Sequence, residues 1–260
     1  FWTKNPAPML NRLSLLQGRA YYFQFTLNAY GRDAEPAVPS KRDVLIPAFR
    51  KLAGIIGRDR VIWRYDPVFL TRVYTFDHHV RYFERLASLL APYTKTCIVS
   101  FLDLYRDTKR HMAPLGLREF PPEEQRELAR MLADIARSHG LRMESCAEDM
   151  DLGEFGVGHA RCVDAGLLGR IGNVTLKARK DAGQRPACGC AESVDIGAYG
   201  SCRHGCLYCY AGGAVPCTFA EARGHDVESP FLLGHEEPGD AFTEKSCRSC
   251  ADRQLFLQRS

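Results

Sequence analysis

No run of residues approaches the ~18 uninterrupted apolar positions a membrane-spanning helix needs, so no membrane association is expected. Charge of one sign is also scarce. The 35 basic and 31 acidic residues leave a formal net charge of +4. That is too mild, and too evenly spread, to single out nucleic acid or an anionic membrane as partner. There is no low-complexity tract and no internal repeat beyond a strand–helix rhythm. An even cysteine count is missing as well. With 11 cysteines, a fully paired disulfide framework cannot form. No secretory signal is seen, and the chain opens at Phe1 rather than methionine, as a fragment would.

What is present points to a folded α/β protein. At 45% hydrophobic residues, the chain can bury enough surface to offset its ordering entropy. Its 260 residues fit one large α/β domain or two smaller ones. The first part alternates strand and helix. Strands are predicted at Tyr21–Leu27, Val61–Tyr65, Cys97–Leu102 and Leu141–Ser145. A helix is expected between Pro6 and Gly18, with Met9, Leu10, Leu13 and Leu16 at helical spacing. A second is capped by Asp43 and carries Leu45, Phe49, Leu52 and Ile56. A third follows Asp77, and the clearest opens at Pro121-Pro122 and closes at His139-Gly140. Such alternation implies a parallel sheet covered by helices, as in a partial or full βα barrel. The body is expected over residues 1–150. Residues 151–260 form a Gly/Cys-rich region with one short helix near His159–Leu168.

The strand ends are polar, and strand carboxyl ends line the ligand site in parallel α/β folds. Asn28, Arg64, Asp66 and Glu144 are the pocket candidates. Arg64 and Asp66 are two apart and share a strand face, so they can also simply pair with each other.

Eight cysteines fall in the last third. Short spacings in a chain without a signal read as metal or redox chemistry in a reducing, cytoplasmic setting. The sharpest group is Cys202-Arg203-His204-Gly205-Cys206-Leu207-Tyr208-Cys209. Three thiolates at C-x3-C-x2-C suit an iron–sulfur cluster, leaving one iron for a fourth cysteine or a small molecule. Zinc competes but favours paired C-x2-C units. Cys188-Gly189-Cys190 brings two more thiols together, and Cys146 with Cys162 would complete a second metal centre, expected as an auxiliary iron–sulfur cluster. Cys247 and Cys250 form a C-x2-C pair, Cys97 reads as core, and Cys217 is isolated. His204 could donate to a cluster sulfur, and Tyr208 and Tyr210 could shield a cluster from solvent.

The cysteine loop, with an aromatic residue before its third cysteine, resembles that of the radical S-adenosylmethionine (SAM) enzymes. That resemblance implies a [4Fe–4S] cluster on Cys202, Cys206 and Cys209, SAM chelated at the open iron, and a low-potential electron donor. It also implies reductive cleavage of SAM to a 5′-deoxyadenosyl radical acting on an unknown substrate. In those enzymes the motif follows the first barrel strand, whereas here it follows the βα units. Phe1-Trp2-Thr3-Lys4-Asn5-Pro6, Tyr22–Asn28, Trp63–Pro67, Ser100–Asp103, Glu144–Glu148, Gln184–Cys190 and Ser193–Gly197 narrow the resemblance. Together with the loop through Ala211 they closely resemble the bacterial domain of unknown function 1848 family. Its members usually begin with a further strand and helix, so a missing first unit is expected here. Two readings compete with the radical enzyme. One is an iron–sulfur electron-transfer or redox-sensing protein without SAM cleavage. The other is a zinc-stabilised binding module, with Arg179, Lys180, Arg185 and Arg203 set for the phosphates of a nucleic acid.

Overall fold

A computed structural model describes residues 1–104, 106–197, 199–211, 226, 228–232, 235–244 and 249–252. Six strands form its sheet: β1 (Trp2–Thr3), β2 (Phe23–Thr26), β3 (Val61–Val68), β4 (Thr96–Phe101), β5 (Arg142–Ser145) and β6 (Gly158–His159). All neighbours are parallel and pair in chain order, with β1 and β6 at the edges. The α/β reading with a helix-covered parallel sheet therefore holds. The four expected strands are all present, and the sheet continues past residue 150 into β6.

Strand alternation divides the side chains between two faces. Phe23, Phe25, Trp63, Tyr65, Cys97, Val99 and Met143 point into the main core. Three amphipathic helices cover that face: α1 (Ile46–Ile56), α2 (Phe76–Leu90) and α4 (Pro122–Ser138). The stripe Phe83, Leu86, Ala87 and Leu90 of α2, and Leu128, Leu132 and Ala136 of α4, lie in the same core. Phe25 meets Phe49 of α1 at 5.1 Å between rings, and Trp63 stacks on Phe83 at 4.8 Å. Each such fully buried side chain contributes on the order of 2 kcal/mol by removal from water. Cys97, completely buried in β4, is core as expected.

On the other face, Tyr22, Ile62 and Ile98 pack against Ala160 and Leu167. Leu167 belongs to α5 (Ala165–Gly172), so the chain after β6 turns back over this face. A short helix α3 (Arg106–Met112) follows β4.

Several local expectations are corrected. The stretch Ala7–Leu16 is a 3-10 helix rather than an α-helix. Pro8 lacks an N–H, and the N-cap residue Pro6 offers no side-chain acceptor, although Asn5 Oδ1 accepts from the Ala7 N–H at 3.1 Å. Ser40, not Asp43, caps the next helical stretch, a π-helical turn (Lys41–Leu45) that runs into α1. Its hydroxyl accepts from the Asp43 N–H (3.2 Å) and donates to the Asp43 carboxylate (2.7 Å). α2 starts at Phe76, so Asp77 lies in its first turn rather than before it, and Thr75 caps it by accepting from the His78 N–H at 3.2 Å. The helix expected at His159–Leu168 starts only at Ala165, because Asp164 is its cap, accepting from Gly166 and Leu167. The residues before it form β6 and the turn carrying Cys162.

Among the described residues beyond α5 there is little regular structure, as the composition suggested. Isolated bridges join Lys180 to Ala191 and Leu176 to Ala251. No helix among the described residues is long and apolar enough to cross a membrane.

Candidate functional site

The loops leaving β2, β3 and β4 meet at the carboxyl edge of the sheet. Tyr30 follows β2, Phe69 and Tyr74 follow β3, and Met112 ends α3. Together with Tyr208 they form a separate buried cluster, against which Cys206 and Leu207 pack. The cysteine loop is thus seated on the edge where a parallel sheet usually binds ligands. Backbone bonds hold it there. Leu207 N–H donates to Ala34 O (3.0 Å), and Ala37 N–H donates to His204 O (3.1 Å). Within the loop, Cys209 N–H donates to Cys206 O at 3.0 Å. Gly205 takes φ +62°, a left-handed conformation that glycine adopts without strain.

A buried charge network lies beneath this loop. The Glu35 carboxylate is only 2% exposed and accepts from Lys4 Nζ (2.8 Å) and Lys41 Nζ (3.0 Å). The Tyr208 hydroxyl also donates to it. Burial alone would raise the Glu35 pKa. The two lysines outweigh burial and hold it below the usual carboxylate range. Tyr208 moves the other way: burial, then the Glu35 charge, keeps its phenol protonated. Lys4 Nζ also lies 5.2 Å from the Tyr208 ring centre.

Glu35 was not singled out from the sequence. It lies in a loop without periodicity, and its partner Tyr208 is 173 residues away. The sequence offers one signal, Lys4 just after the first strand.

The cysteines of the loop differ in environment. Cys202 is exposed, while Cys206 and Cys209 are partly covered. Burial pushes the Cys206 thiol up to about 11, against the opposing pull of Lys4. His204 Nδ1 lies 3.4 Å from Cys202 Sγ within the loop. Burial lowers the His204 pKa, with Lys4 acting in the same direction. Tyr208 is buried and Tyr210 is exposed, so only the first can shield the loop.

The pocket candidates separate. Arg64 is nearly buried in β3, and its Nε donates to Asp66 Oδ2 at 2.8 Å, with Nη2 on the same oxygen. They pair with each other, as their spacing allowed. Arg64 Nη1 also reaches Gln24 Oε1 (2.6 Å) and Cys162 Sγ (2.8 Å). Asn28 Nδ2 donates to Asp66 O (2.7 Å) and to the Tyr208 hydroxyl (3.2 Å). Its Oδ1 is buried and has no donor among the described residues. Asn28, Arg64 and Asp66 therefore form one chain. The Glu144 carboxylate accepts from Arg142 (2.8 Å) toward solvent instead.

A second cysteine group sits past the ends of β5 and β6. Cys146, Cys162, Cys188 and Cys190 pack together with Ala147 and Val163. Cys146 and Cys162 Sγ atoms are 3.3 Å apart. Their hydrogen bond, then burial, drives the Cys146 pKa far up. Cys190 is lowered, chiefly by its bond with Cys162. Tyr22 and Gln24 both donate to Cys162 O, at 2.5 and 2.6 Å, fixing this turn to β2 and its approach. Cys162 Sγ, Arg64, Asp66, Asn28 and Tyr208 make a continuous polar path between the two cysteine groups.

Among the described residues, no three His, Cys, Asp or Glu side chains stand ready around one metal position. Cys217 and Cys247 lie outside the described residues. Cys250 is exposed, and its carbonyl accepts from Lys177 N–H at 2.8 Å. Of the four basic residues set for phosphate, Arg185 pairs with Asp103 (2.6 Å) and Lys180 donates to Pro186 O (2.6 Å).

Comparison with known proteins gives one positive finding. A family model described as "Domain of unknown function (DUF1848)" matches residues 1–211. No curated protein and no solved structure matches the chain.

Proposed function

Because this chain belongs to the domain of unknown function 1848 family, over a span ending just past the cysteine loop, we propose a radical SAM-type iron–sulfur enzyme. The observation that carries the reading is where the loop sits. Cys206, Leu207 and Tyr208 are seated on the loops after β2, β3 and β4, at the ligand-binding edge of a parallel sheet. Six parallel strands in chain order would be the larger part of a βα barrel. Cys202, Cys206 and Cys209 would hold the cluster. Three soft thiols on one glycine-containing loop suit it chemically. When bound, the cluster would supply the electron for reductive cleavage of SAM.

The chain's own residues supply orientation and exclusion of water. The Tyr208 ring closes the loop against Tyr30 and Phe69, at 5.7 and 5.8 Å between ring centres. Glu35, held ionised by two lysines, anchors the Tyr208 hydroxyl. Asn28 is the pocket residue with an open acceptor, and its buried Oδ1 would take an N–H or O–H donor from SAM. Arg64 and Asp66 neutralise each other and present no free charge, while the Asp66 backbone carbonyl holds Asn28 by accepting from its Nδ2. Glu144 would bind ligand only after leaving Arg142.

The test is anaerobic reconstitution of the full-length protein with iron and sulfide. Four irons lost on Cys202→Ser, Cys206→Ser and Cys209→Ser substitution are expected, with 5′-deoxyadenosine formed from SAM under a low-potential reductant. A loaded cluster that neither binds nor cleaves SAM would favour an electron carrier. Zinc without sulfide at the loop would favour a binding module.

A further inference from the structure

The second cysteine group supports a site of its own. Its four thiols come from three stretches of chain, after β5, after β6, and from the Cys188-Gly189-Cys190 segment, yet they form one buried cluster. Cys162 Sγ lies 3.3 Å from Cys146 Sγ, and Cys188 and Cys190 pack in the same cluster. Two donors are aimed at the sulfurs. Arg64 Nη1 lies 2.8 Å from Cys162 Sγ, and Val163 N–H lies 3.4 Å from Cys190 Sγ. Four neutral thiols would need neither. A buried guanidinium and an amide N–H at sulfur are what thiolates require when taken out of water.

Spacing bears on the ligand. A tetrahedral ion with metal–sulfur bonds of about 2.3 Å places its thiolates roughly 3.8 Å apart. A cubane cluster gives each thiolate a separate iron and spreads them further. The 3.3 Å between Cys146 and Cys162 lies near the first arrangement.

We propose that Cys146, Cys162, Cys188 and Cys190 bind one soft divalent ion, zinc or ferrous iron, in a four-thiolate shell. Loading turns the four side chains onto one centre. Four S–H bonds break, four sulfur–metal bonds form, and four protons leave, with no change of oxidation state. Arg64 Nη1 and the Val163 N–H donate to two of the thiolates in the resulting doubly negative shell. The site staples the chain after β6 across the sheet, ahead of the cysteine loop. It stands independently of the radical SAM reading, and it replaces the expected auxiliary cluster with a single ion.

The test uses the full chain with Cys202, Cys206 and Cys209 changed to serine, which removes the first site. Titrated anaerobically with Co2+, it should take up about one equivalent and show the sulfur-to-metal and d–d bands of a tetrahedral thiolate site. Adding Cys188→Ser and Cys190→Ser should abolish those bands while Cys217, Cys247 and Cys250 remain. No uptake, or uptake unchanged by the second pair, overturns the proposal. If the five-serine variant fails to fold, X-ray absorption of the zinc-loaded triple variant decides. Four sulfurs at about 2.3 Å support the site, whereas nitrogen or oxygen in the shell overturns it. Iron with stoichiometric sulfide in the triple variant also overturns it.

Discussion

His79 is completely buried in α2, between Tyr65 and Phe69. The Tyr65 hydroxyl is 2.8 Å from Nδ1, and Phe69 O is 2.9 Å from Nε2. The network is satisfied by a neutral ring that accepts at Nδ1 and donates at Nε2. Burial lowers its pKa to about 4, with neighbouring His78 acting in the same direction. A histidine depressed in the folded state stabilises nothing by itself at neutral pH. The unfolded chain gains the proton first as pH falls below about 6.5, so stability drops toward pH 4. From pH 7 to pH 5 the loss from this residue should be about 2 kcal/mol. Urea unfolding at both pH values should show that loss in the native protein and not in His79→Gln, which keeps a donor and an acceptor. An equal loss in both would refute the assignment.

Glu35 has the opposite sign. Its lowered pKa means its stabilisation is present above the ordinary carboxylate value and disappears as pH falls through the folded one. Glu35→Gln leaves Lys4 and Lys41 without their shared anion. Breaking a buried pair this way costs about 3 kcal/mol at pH 7. The gap between native and variant unfolding energies should close under acid, where the native carboxylate is protonated too. A gap that persists after the pH has fallen through the folded carboxylate's own titration would mean packing, not charge, is at stake.

Among the elements, α5 is short and rests on one cap. Asp164 Oδ1 accepts from Gly166 N–H (2.8 Å) and Leu167 N–H (3.1 Å). Losing such a cap costs about 1 kcal/mol, or about a fivefold change in local opening. Asp164→Ala should therefore speed amide exchange in Ala165–Gly172 by about that factor while α4 is unaffected. Uniform exchange changes across both helices would instead indicate global destabilisation. The elements also show what was readable beforehand. The stripes of α2 and α4 and the apolar runs of β3 and β4 follow from periodicity, because each buries a face against a neighbour. The grouping of Cys146, Cys162, Cys188 and Cys190 was readable as chemistry, since paired thiols want further ligands. What periodicity cannot supply is aperiodic contact. Glu35 meets Tyr208 only through the fold, β6 has two residues, and Arg64 touches Cys162 across 98 positions.

At the scale of the whole molecule, the cysteine loop depends on the body beneath it. Between α5 and Cys202 the chain has little regular structure, so the loop's position comes from contacts at its far end. Tyr208 provides most of them: its ring sits among Tyr30, Phe69 and Met112, and its hydroxyl bonds Glu35 and Asn28. Removing that ring costs about 3–5 kcal/mol locally. The backbone bonds from Leu207 to Ala34 and from Ala37 to His204 are too few to replace it. The main core lies between the sheet and its covering helices and shares only the partly buried Cys206 with this contact. Tyr208→Ala should therefore free the loop before it unfolds the sheet. Limited trypsin digestion read by mass spectrometry should show faster cleavage after Arg203, with fragments spanning β1 to β5 still protected. Tyr208→Phe, which keeps the ring but not the hydroxyl, should fall between the native protein and the alanine variant. Cleavage throughout the sheet at the same rate as at Arg203 would show that loop and body unfold as one unit, and that the docking is not separable.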